Sequence, residues 1–245
     1  MKKENLIYGI RPVLEALEAG KTLDKVFVQK GLQGDLIREL RNKLLKTDVQ
    51  VQYVPVEKLN RITRKNHQGV VAYLSLIPYQ EISIILPGIF EQGKVPLILI
   101  LDRISDVRNF GAIARTAECA GVHAIIIPLK GAAQINEDAI KTSAGALHRI
   151  PVCKSSNLWN DLVFLKESGL QIISASEKGE TAHYSIDFNL PSVIIMGSEE
   201  DGISEKLLKV SDKVISIPIL GEIQSLNVSV SAGIIIYEAV RQRTI

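Results

Sequence analysis

The chain has 245 residues, of which 46% are hydrophobic and 23% are charged. This composition is typical of a globular protein, and the length suits one large domain or a small domain and a medium one. No apolar run reaches the roughly 18 residues that span a bilayer, so we expect no membrane segment, and we expect no signal peptide. The isolated cysteines Cys119 and Cys153 predict buried free thiols in a reducing cytoplasm, and no zinc or other metal site.

The net charge is only +2 at pH 7, but it is unevenly distributed along the chain. Residues 1–80 contain 14 Lys/Arg and 8 Asp/Glu, whereas residues 81–245 contain 15 and 19. A basic front part on a mildly acidic body indicates contact with a polyanion such as nucleic acid. Charge alone favours an ordinary solvated basic surface, and nucleic acid becomes the better interpretation only together with the motifs below.

Strand and helix patterns alternate in the front part and predict a compact α/β domain over residues 1–77. Its predicted elements are a strand at 6–8, a helix from Pro12 to Leu17, a strand at 25–29, a helix at 35–45 and strands at 49–54 and 70–76. Prolines and glycines are dense in the next segment and predict a linker at 78–95. A short helix at 82–86 would order this linker in part.

From residue 96 onward the strands become continuous apolar runs, which are typical of strands buried on both faces of a parallel sheet. The predicted strands lie at 97–101, 124–127, 170–174, 193–196 and 214–217, and the predicted helices lie at 111–120, 137–147, 158–167, 204–210 and 228–241. This alternation predicts a doubly wound α/β domain over residues 96–245.

Three polar loops follow predicted strands of this domain, and ligands bind beyond the carboxyl ends of strands in parallel α/β sheets. The first loop contains Asn109 and leads to Arg115. Asn109 suits the cap of a helix that starts near Gly111. A lone helical arginine is usually a solvated side chain, but the small and apolar neighbours of Arg115 also suit a guanidinium that is placed to bind phosphate.

The second loop, residues 197–202, contains two glycines and three acidic residues. It lacks the Lys and Ser/Thr of a phosphate-binding loop, which disfavours a nucleotide triphosphate. Two interpretations have equal weight: an acidic loop that leads into a helix capped by Asp201 or Ser204, or a carboxylate that positions a substrate or a cationic cofactor. In the third loop, a helix cap explains either Ser225 or Asn227 and leaves the other unexplained.

Several well-known motifs are absent from the sequence, namely GxGxxG, HExxH, GxSxG and a metal-spaced Cys/His cluster. A nicotinamide site therefore loses its main support. In the front domain, His67 lies close in sequence to Arg61, Arg64 and Lys65. This cluster suits contact with RNA, with His67 stacked on a base or bound to phosphate. A turn with an ordinary surface histidine is the competing interpretation.

Together the three loops resemble the three motifs of the SPOUT superfamily, in its SpoU/TrmH branch of RNA ribose 2′-O-methyltransferases. The resembling segments are Asn109-x-Gly111-Ala112-Ile113-x-Arg115-Thr116, Gly197-Ser198-Glu199 through Gly202, and Ile217-Pro218 through Ser225-Leu226-Asn227-Val228-Ser229. The front part is similar to a small ribosomal-protein-like RNA-binding domain through Tyr8-Gly9-x-x-Pro12-Val13 and His67-Gln68-Gly69. This two-domain form is most similar to the enzymes that methylate a guanosine of 23S ribosomal RNA.

The resemblance implies S-adenosylmethionine as methyl donor, a homodimer, and a deep trefoil knot in the parallel-sheet domain. It implies a cofactor-binding set of Gly197, Ile217, Leu226, Ser174 and Met196. It further implies a catalytic pocket that is lined by Asn109, Arg115, Glu199, Ser225 and Asn227. Relatives often have a glycine after the glutamate of the second motif, where this chain has Glu200. The role is assigned to Glu199 by its distance from Gly197, and Glu200 is the lesser alternative.

The resemblance points to Arg115 as the residue that activates the ribose hydroxyl. Arginine rarely gives up its proton, so an electrostatic role toward the developing alkoxide is preferred here, and the role of a true base stays open. Two further functions also stay open: a tRNA ribose 2′-O-methyltransferase, and a non-catalytic RNA-binding or ribosome-assembly factor that keeps the fold.

Overall fold

The computed structural model describes residues 5–47 and 49–244, which divide into two compact units at Pro78 and Tyr79. The first unit contains β1 (Leu6–Tyr8), α1 (Ile10–Glu18), β2 (Leu23–Gln29), α2 (Asp35–Leu44), β3 (Gln50–Val54), α3 (Val56–Ile62) and β4 (Val70–Leu74). The predicted strands and the first two helices of this unit are confirmed to within a few residues, whereas α3 was not predicted. No helix in the described part of the chain is both long enough and apolar enough to cross a bilayer.

The four strands of the first unit form a mixed sheet in the order β1-β4-β2-β3. Strand β4 is antiparallel to both of its neighbours, and β2 is parallel to β3. One face of the sheet packs against the apolar sides of α1 and α2, which bury Val13 and Leu40, for example. The other face contacts the short helix α3 through a smaller cluster around Phe27 and Leu59. The two faces of this sheet are therefore unequally covered.

The second unit alternates strands and helices except between Gln171 and Gly197, where three strands follow one another without an α-helix between them. Its elements are β5 (Tyr79–Gln80), α4 (Ile82–Glu91), β6 (Leu97–Asp102), α5 (Val107–Cys119), β7 (Ala124–Pro128), α6 (Glu137–Thr142), β8 (Val152–Ser155), α7 (Leu158–Glu167), β9 (Gln171–Ala175), β10 (Thr181–Ala182), β11 (Ser192–Gly197), α8 (Glu205–Val210), β12 (Lys213–Ser216) and α9 (Val228–Thr244). The predicted helix at 137–147 ends early, because Ala144 and Gly145 adopt the left-handed backbone conformation.

The eight strands of the second unit form one parallel sheet in the order β10-β12-β9-β11-β6-β7-β8-β5. All six residues of β6 are buried, as expected for a central strand with helices on both faces. The chain leaves β6 toward β7 on one side, and it returns to the other side of β6 with β11. Ligand sites form beyond the carboxyl ends of strands where the order reverses in this way. The trefoil knot stays a prediction.

Two predictions about the second unit are corrected. The segment at 78–95 belongs to this unit rather than forming a linker, because β5 pairs with β8. The short helix expected at 82–86 is present as the longer α4, which buries Ile82, Leu86 and Ile89 in the core. Of the two cysteines, Cys153 is buried, but Cys119 is exposed. Cys119 is the last residue of α5, where the helix leaves the core.

Candidate functional site

A cleft lies at the carboxyl ends of β9, β11 and β12. It is lined by residues 175–177, 196–199, 215–217 and 224–226, and the first turns of α9 close its floor. The cleft encloses about 760 Å³ of empty space, its solvent-open mouth included. This volume falls within the range of small-molecule and cofactor sites in proteins. The second and third polar loops of the sequence therefore meet in one cleft.

Gly197 lets the second loop fold tightly against the end of β11. The backbones of Ser198 and Gly202 exchange two hydrogen bonds, at 3.2 Å and 3.0 Å. A Cβ atom at Gly197 would lie 2.2 Å from the backbone carbon of Gly202 and 2.3 Å from the backbone nitrogen of Ile203. Since no side chain fits at such distances, the loop requires a glycine at this position.

The polar side chains of the three loops meet through direct hydrogen bonds. Asn109 Nδ2 donates to Glu199 Oε1 at 3.0 Å, and Asn227 Nδ2 lies 2.9 Å from the same oxygen. Asn227 Nδ2 also lies 3.1 Å from Asn109 Oδ1. Each loop supplies one residue of this group, which we call the polar triad. Of the predicted catalytic residues, the structure brings Asn109, Glu199 and Asn227 together.

The predicted cap of α5 is corrected by the structure. The helix starts at Val107 rather than near Gly111, and its cap is Asp106, which accepts a hydrogen bond from the backbone nitrogen of Asn109 at 2.7 Å. The Asn109 side chain is therefore free of the capping role and reaches Glu199 instead. The sequence did carry this signal, because aspartate is a preferred capping residue.

The other catalytic predictions have a different outcome. Arg115 is exposed, and it has no hydrogen-bond or ion-pair partner within residues 5–47 and 49–244. Six helical residues separate it from Asn109, so the two side chains point about 120° apart around the axis of α5. The structure does not bring Arg115 to the polar triad of its own chain. Ser225 is exposed and lines the cleft.

The predicted cofactor-binding residues lie in the cleft with one exception. Met196, Gly197, Ile217 and Leu226 line it. Ser174 does not, because it is fully buried in β9 and its hydroxyl lies 2.6 Å from the hydroxyl of Ser211. Its successors in the chain, residues 175–177, line the cleft instead. They include Glu177, which the sequence reasoning missed because it belongs to no polar motif.

Arg103, also missed at the sequence level, ties the end of β6 to the second loop. Its guanidinium donates to Asp102 Oδ1 at 3.2 Å, to Asp201 Oδ2 at 3.1 Å and to the carbonyl of Gly202 at 3.1 Å. The buried Asp102 also accepts from the backbone nitrogen of Ser204 at 2.8 Å. These contacts fix both ends of the turn that carries Glu199.

In the first unit, Arg61, Arg64 and Lys65 are exposed, as expected for contacts to RNA. His67 is only 8% exposed, and both of its ring nitrogens are occupied. Its Nε2 lies 2.9 Å from Asn60 Oδ1, and its Nδ1 accepts from the backbone nitrogen of Gly69 at 3.0 Å. The prediction that His67 contacts a base or phosphate is therefore corrected: His67 fixes the turn before β4.

Comparisons with known proteins agree with this geometry. Residues 96–237 match the SpoU rRNA Methylase family, and residues 6–80 match the family described as RNA 2′-O ribose methyltransferase substrate binding. A protein of Staphylococcus saprophyticus that is assigned to the TrmH family of tRNA/rRNA methyltransferases is 33% identical over 98% of this chain and 97% of its own. YacO of Bacillus subtilis, assigned to the same family, is 31% identical over 99% and 97%.

Solved structures give the same result. The SpoU methyltransferase AviRb from Streptomyces viridochromogenes, in complex with AdoMet, superposes with a TM-score of 0.62 at 26% identity and covers 98% of this chain and 90% of its own. A TrmH/SpoU tRNA modifying enzyme of A. aeolicus has a TM-score of 0.57 at 34% identity, over 62% of this chain and 77% of its own. The chain therefore belongs to the SpoU/TrmH family of RNA 2′-O-ribose methyltransferases.

Proposed function

We propose that this chain transfers the methyl group of S-adenosylmethionine to the ribose 2′-hydroxyl of a guanosine in 23S ribosomal RNA. The observation that carries the proposal is the polar triad, in which Asn109, Glu199 and Asn227 join three distant segments of the chain at the rim of the cleft. The proposal places the enzyme in the cytoplasm, where ribosomal RNA is found.

The residues of the cleft fit the cofactor by their chemistry. Ile217 and Leu226 provide apolar surface for an adenine ring, and the glycine-rich backbone around Gly197 brings peptide groups close. The carboxylates of Glu177 and Glu199 line the same cleft, and they complement the positive charges of the sulfonium and amino groups. When bound, S-adenosylmethionine supplies an already activated methyl group.

The task left to the protein is to hold the ribose hydroxyl in line and to help remove its proton. The amide groups of Asn109 and Asn227 orient the Glu199 carboxylate, and Glu199 is placed to accept a hydrogen bond from the ribose. Arg115 stabilises the developing alkoxide or holds the neighbouring phosphate, since a guanidinium keeps its charge. Ser225 holds the third loop and the substrate at the mouth of the cleft.

A homodimer is part of the proposal. Val230 and Tyr237 are each 50% exposed on α9, and α9 packs against α5, the helix that carries Arg115. A dimer formed through these two helices would cover exposed apolar surface that a monomer leaves in water. It would also bring Arg115, which points away from its own triad, toward the other chain.

The choice of substrate rests on the family resemblance. Residues 6–80 match the family described as RNA 2′-O ribose methyltransferase substrate binding, and the resemblance implies that this two-domain form acts on 23S ribosomal RNA. A tRNA ribose methyltransferase is the second candidate, and the A. aeolicus tRNA modifying enzyme is the observation that favours it. That enzyme covers 62% of this chain.

The decisive experiment measures methyl transfer from labelled S-adenosylmethionine to unmodified 23S ribosomal RNA and to bulk tRNA, with mass spectrometry of the product. A ribose-methylated guanosine in the ribosomal RNA supports the proposal. Label in tRNA alone moves the chain to the second candidate. Absence of cofactor binding in calorimetry favours a non-catalytic RNA-binding factor.

The role of Arg115 is tested with Arg115→Ala and the matched control Arg149→Ala, which also removes one exposed arginine. We expect Arg115→Ala to abolish methyl transfer with little change in cofactor affinity, and Arg149→Ala to change neither. Equal loss of transfer and affinity in Arg115→Ala contradicts this role. Mixing Arg115→Ala with Glu199→Ala chains then shows whether Arg115 serves its own cleft or that of a partner, because only the second case restores activity.

A further inference from the structure

The sheet of the first unit leaves part of one face open to solvent. On that face, α3 is the only helix among the described residues of this unit that covers the strands, and it is seven residues long. Tyr8 and Tyr73 remain partly exposed, although they belong to the apolar cluster there. We call this surface the open face and define it by Tyr8, Lys25, Phe27, Lys58 and Tyr73.

The strand register places these side chains next to one another. Lys25 lies directly opposite Tyr73, and Phe27 lies opposite Val71, which in turn pairs with Tyr8. Tyr8 and Tyr73 are thus diagonal neighbours on adjacent strands, a separation that aromatic side chains can bridge. Tyr73 packs edge-on against Phe27, with ring centroids 6.3 Å apart and planes at 78°. Tyr73 and Phe27 thus form an edge-to-face aromatic pair on this face.

Lysines lie over the rings of the open face. Lys25 and Lys58 place their Nζ atoms 5.1 Å and 5.2 Å from the centroid of the Phe27 ring, and Lys65 lies 5.4 Å from the centroid of the Tyr8 ring. Neither Lys58 nor Lys65 forms an ion pair with any residue that the structure describes. Three ammonium groups thus lie above aromatic rings on one side of the sheet.

The two lysines above Phe27 repel each other. Burial lowers the pKa of Lys25, the positive charge of Lys58 lowers this pKa further, and Asp24 acts in the opposite direction. Like charges this close together disfavour the charged form of Lys25. A phosphate group at this position would relieve the repulsion. The arrangement therefore fits an anionic partner better than a neutral one.

We propose that the open face binds an unpaired segment of the RNA substrate, with bases stacked on Tyr8 and Tyr73 and phosphates bound by Lys25, Lys58 and Lys65. Aromatic rings interleaved with cations suit single-stranded RNA, because only unpaired bases expose their faces for stacking. The exposed Arg61 and Arg64 extend the basic surface along and beyond α3. This inference rests on the proposed RNA substrate and goes beyond it, because it states which surface binds the RNA and in which form.

The test measures binding of the full chain to a fluorescein-labelled single-stranded RNA of about 12 nucleotides, a length within the range of known single-strand sites, and to the same strand in a duplex. We expect the chain to prefer the single strand. Lys25→Gln with Lys58→Gln should raise the Kd for the single strand about tenfold and reduce the slope of log K against log salt by about 1.4.

The matched control is Arg38→Gln with Lys46→Gln, which removes two charges in or just after α2, on the side of the sheet opposite the open face. It should change Kd by less than about twofold. Tyr73→Phe keeps the ring and should bind normally, whereas Tyr73→Leu should bind about tenfold more weakly. Circular dichroism checks that each variant is folded.

The inference would be overturned if the control double variant weakened RNA binding as much as the Lys25/Lys58 double variant does. Equal affinity of the chain for duplex and single-stranded RNA would overturn it as well. The binding readout needs no methyl transfer. A chain that binds the single-stranded RNA as expected but transfers no methyl group would therefore count against the proposed reaction alone. An active chain whose RNA binding is unchanged in the Lys25/Lys58 double variant would count against the open face alone.

Discussion

The two polar atoms of the Asn227 side chain have different roles. Its Nδ2 donates to Glu199 Oε1 within the polar triad. Its Oδ1 accepts from the backbone nitrogen of Ser229 at 2.9 Å and caps α9. Sequence reasoning treated a cap and a catalytic role as alternatives for this residue. The structure shows that an amide can serve as both, because one end accepts and the other donates.

A pair of substitutions at Asn227 separates the two roles. Asn227→Ser keeps a capping oxygen but is too short to reach Glu199, whereas Asn227→Ala loses both contacts. We expect both variants to lose about 100-fold in methyl transfer, since the carboxylate is no longer held in place. Asn227→Ala should also lower the free energy of unfolding by about 1 kcal/mol relative to Asn227→Ser. Rates of methyl transfer test the first expectation, and urea titrations measure the free energies of unfolding. Equal stability of the two variants contradicts the capping role.

Single residues were predicted well where a motif fixed their position and poorly where burial decided their role. Asn109, Glu199 and Asn227 lie in motifs, and they meet as expected. His67 and Ser174 were assigned to RNA and cofactor, but both are buried and hydrogen-bonded within the protein. The sequence does not show which side of a strand or turn faces the interior at such polar positions.

At the scale of elements, the turn after β11 is held by Arg103 from the end of β6. Arg103→Gln should destabilise the second unit by about 2 kcal/mol, because the buried carboxylate of Asp102 loses its charged partner. It should also weaken cofactor binding, since the turn carries Glu199. Urea unfolding and calorimetry with S-adenosylmethionine measure the two effects.

The matched control is Asp201→Asn, which removes the exposed partner of the same arginine. Exposed ion pairs contribute little, so this variant should cost less than about 1 kcal/mol. If Asp201→Asn costs as much as Arg103→Gln, then the buried Asp102 is not the important partner. The comparison thus assigns the energy of this contact to one of the two carboxylates.

A second test at this scale concerns the tight turn at Gly197. Gly197→Ala places a Cβ against the backbone of Gly202 and Ile203, and we expect a cost of about 3 kcal/mol or more together with loss of cofactor binding. Gly221→Ala in the third loop meets no atom within 4 Å and serves as the control. Thermal melting compares the two; similar Tm values would mean that the turn can widen.

The helix α4, of which only the first half was predicted, shows why elements with proline and glycine are hard to predict. Pro87 lies inside this helix, where it removes a backbone hydrogen bond and disfavours a helix locally. Ile82, Leu86 and Ile89 nevertheless form an apolar stripe with helical spacing, and all three are buried against the sheet. Packing therefore outweighs the local preference, and local sequence cannot show how strong the packing will be.

At the scale of the whole molecule, the two cysteines should differ sharply in reactivity. Burial, followed by the nearby charges of Asp161 and Glu81, raises the pKa of Cys153 to about 12. The thiol of Cys153 therefore stays protonated at pH 8, and its thiolate forms only as the pH approaches that value. We expect a maleimide reagent to label Cys119 rapidly in the native chain and Cys153 only in urea. Rapid labelling of a Cys119→Ser variant in the native state contradicts this.

The apolar runs of the second unit predicted its α/β fold class, but they did not predict the order of its strands in the sheet. Five strands were predicted close to their observed positions, and all pairs in the observed sheet are parallel. The runs are too similar in composition to show that β11 lies between β9 and β6. The short strands β5 and β10, with two residues each, carry no pattern at all.

The polar triad joins residues that are 90 and 28 positions apart in the chain. Because a protein emerges from the ribosome with its N-terminus first, the triad is incomplete until Asn227 has been synthesised. A product that stops before this residue would contain the first unit and every strand of the parallel sheet, but neither α9 nor the assembled polar triad. We expect such a fragment to lack methyl transfer entirely rather than to retain a reduced rate, because α9 also supplies the buried residues Ile235 and Ile236.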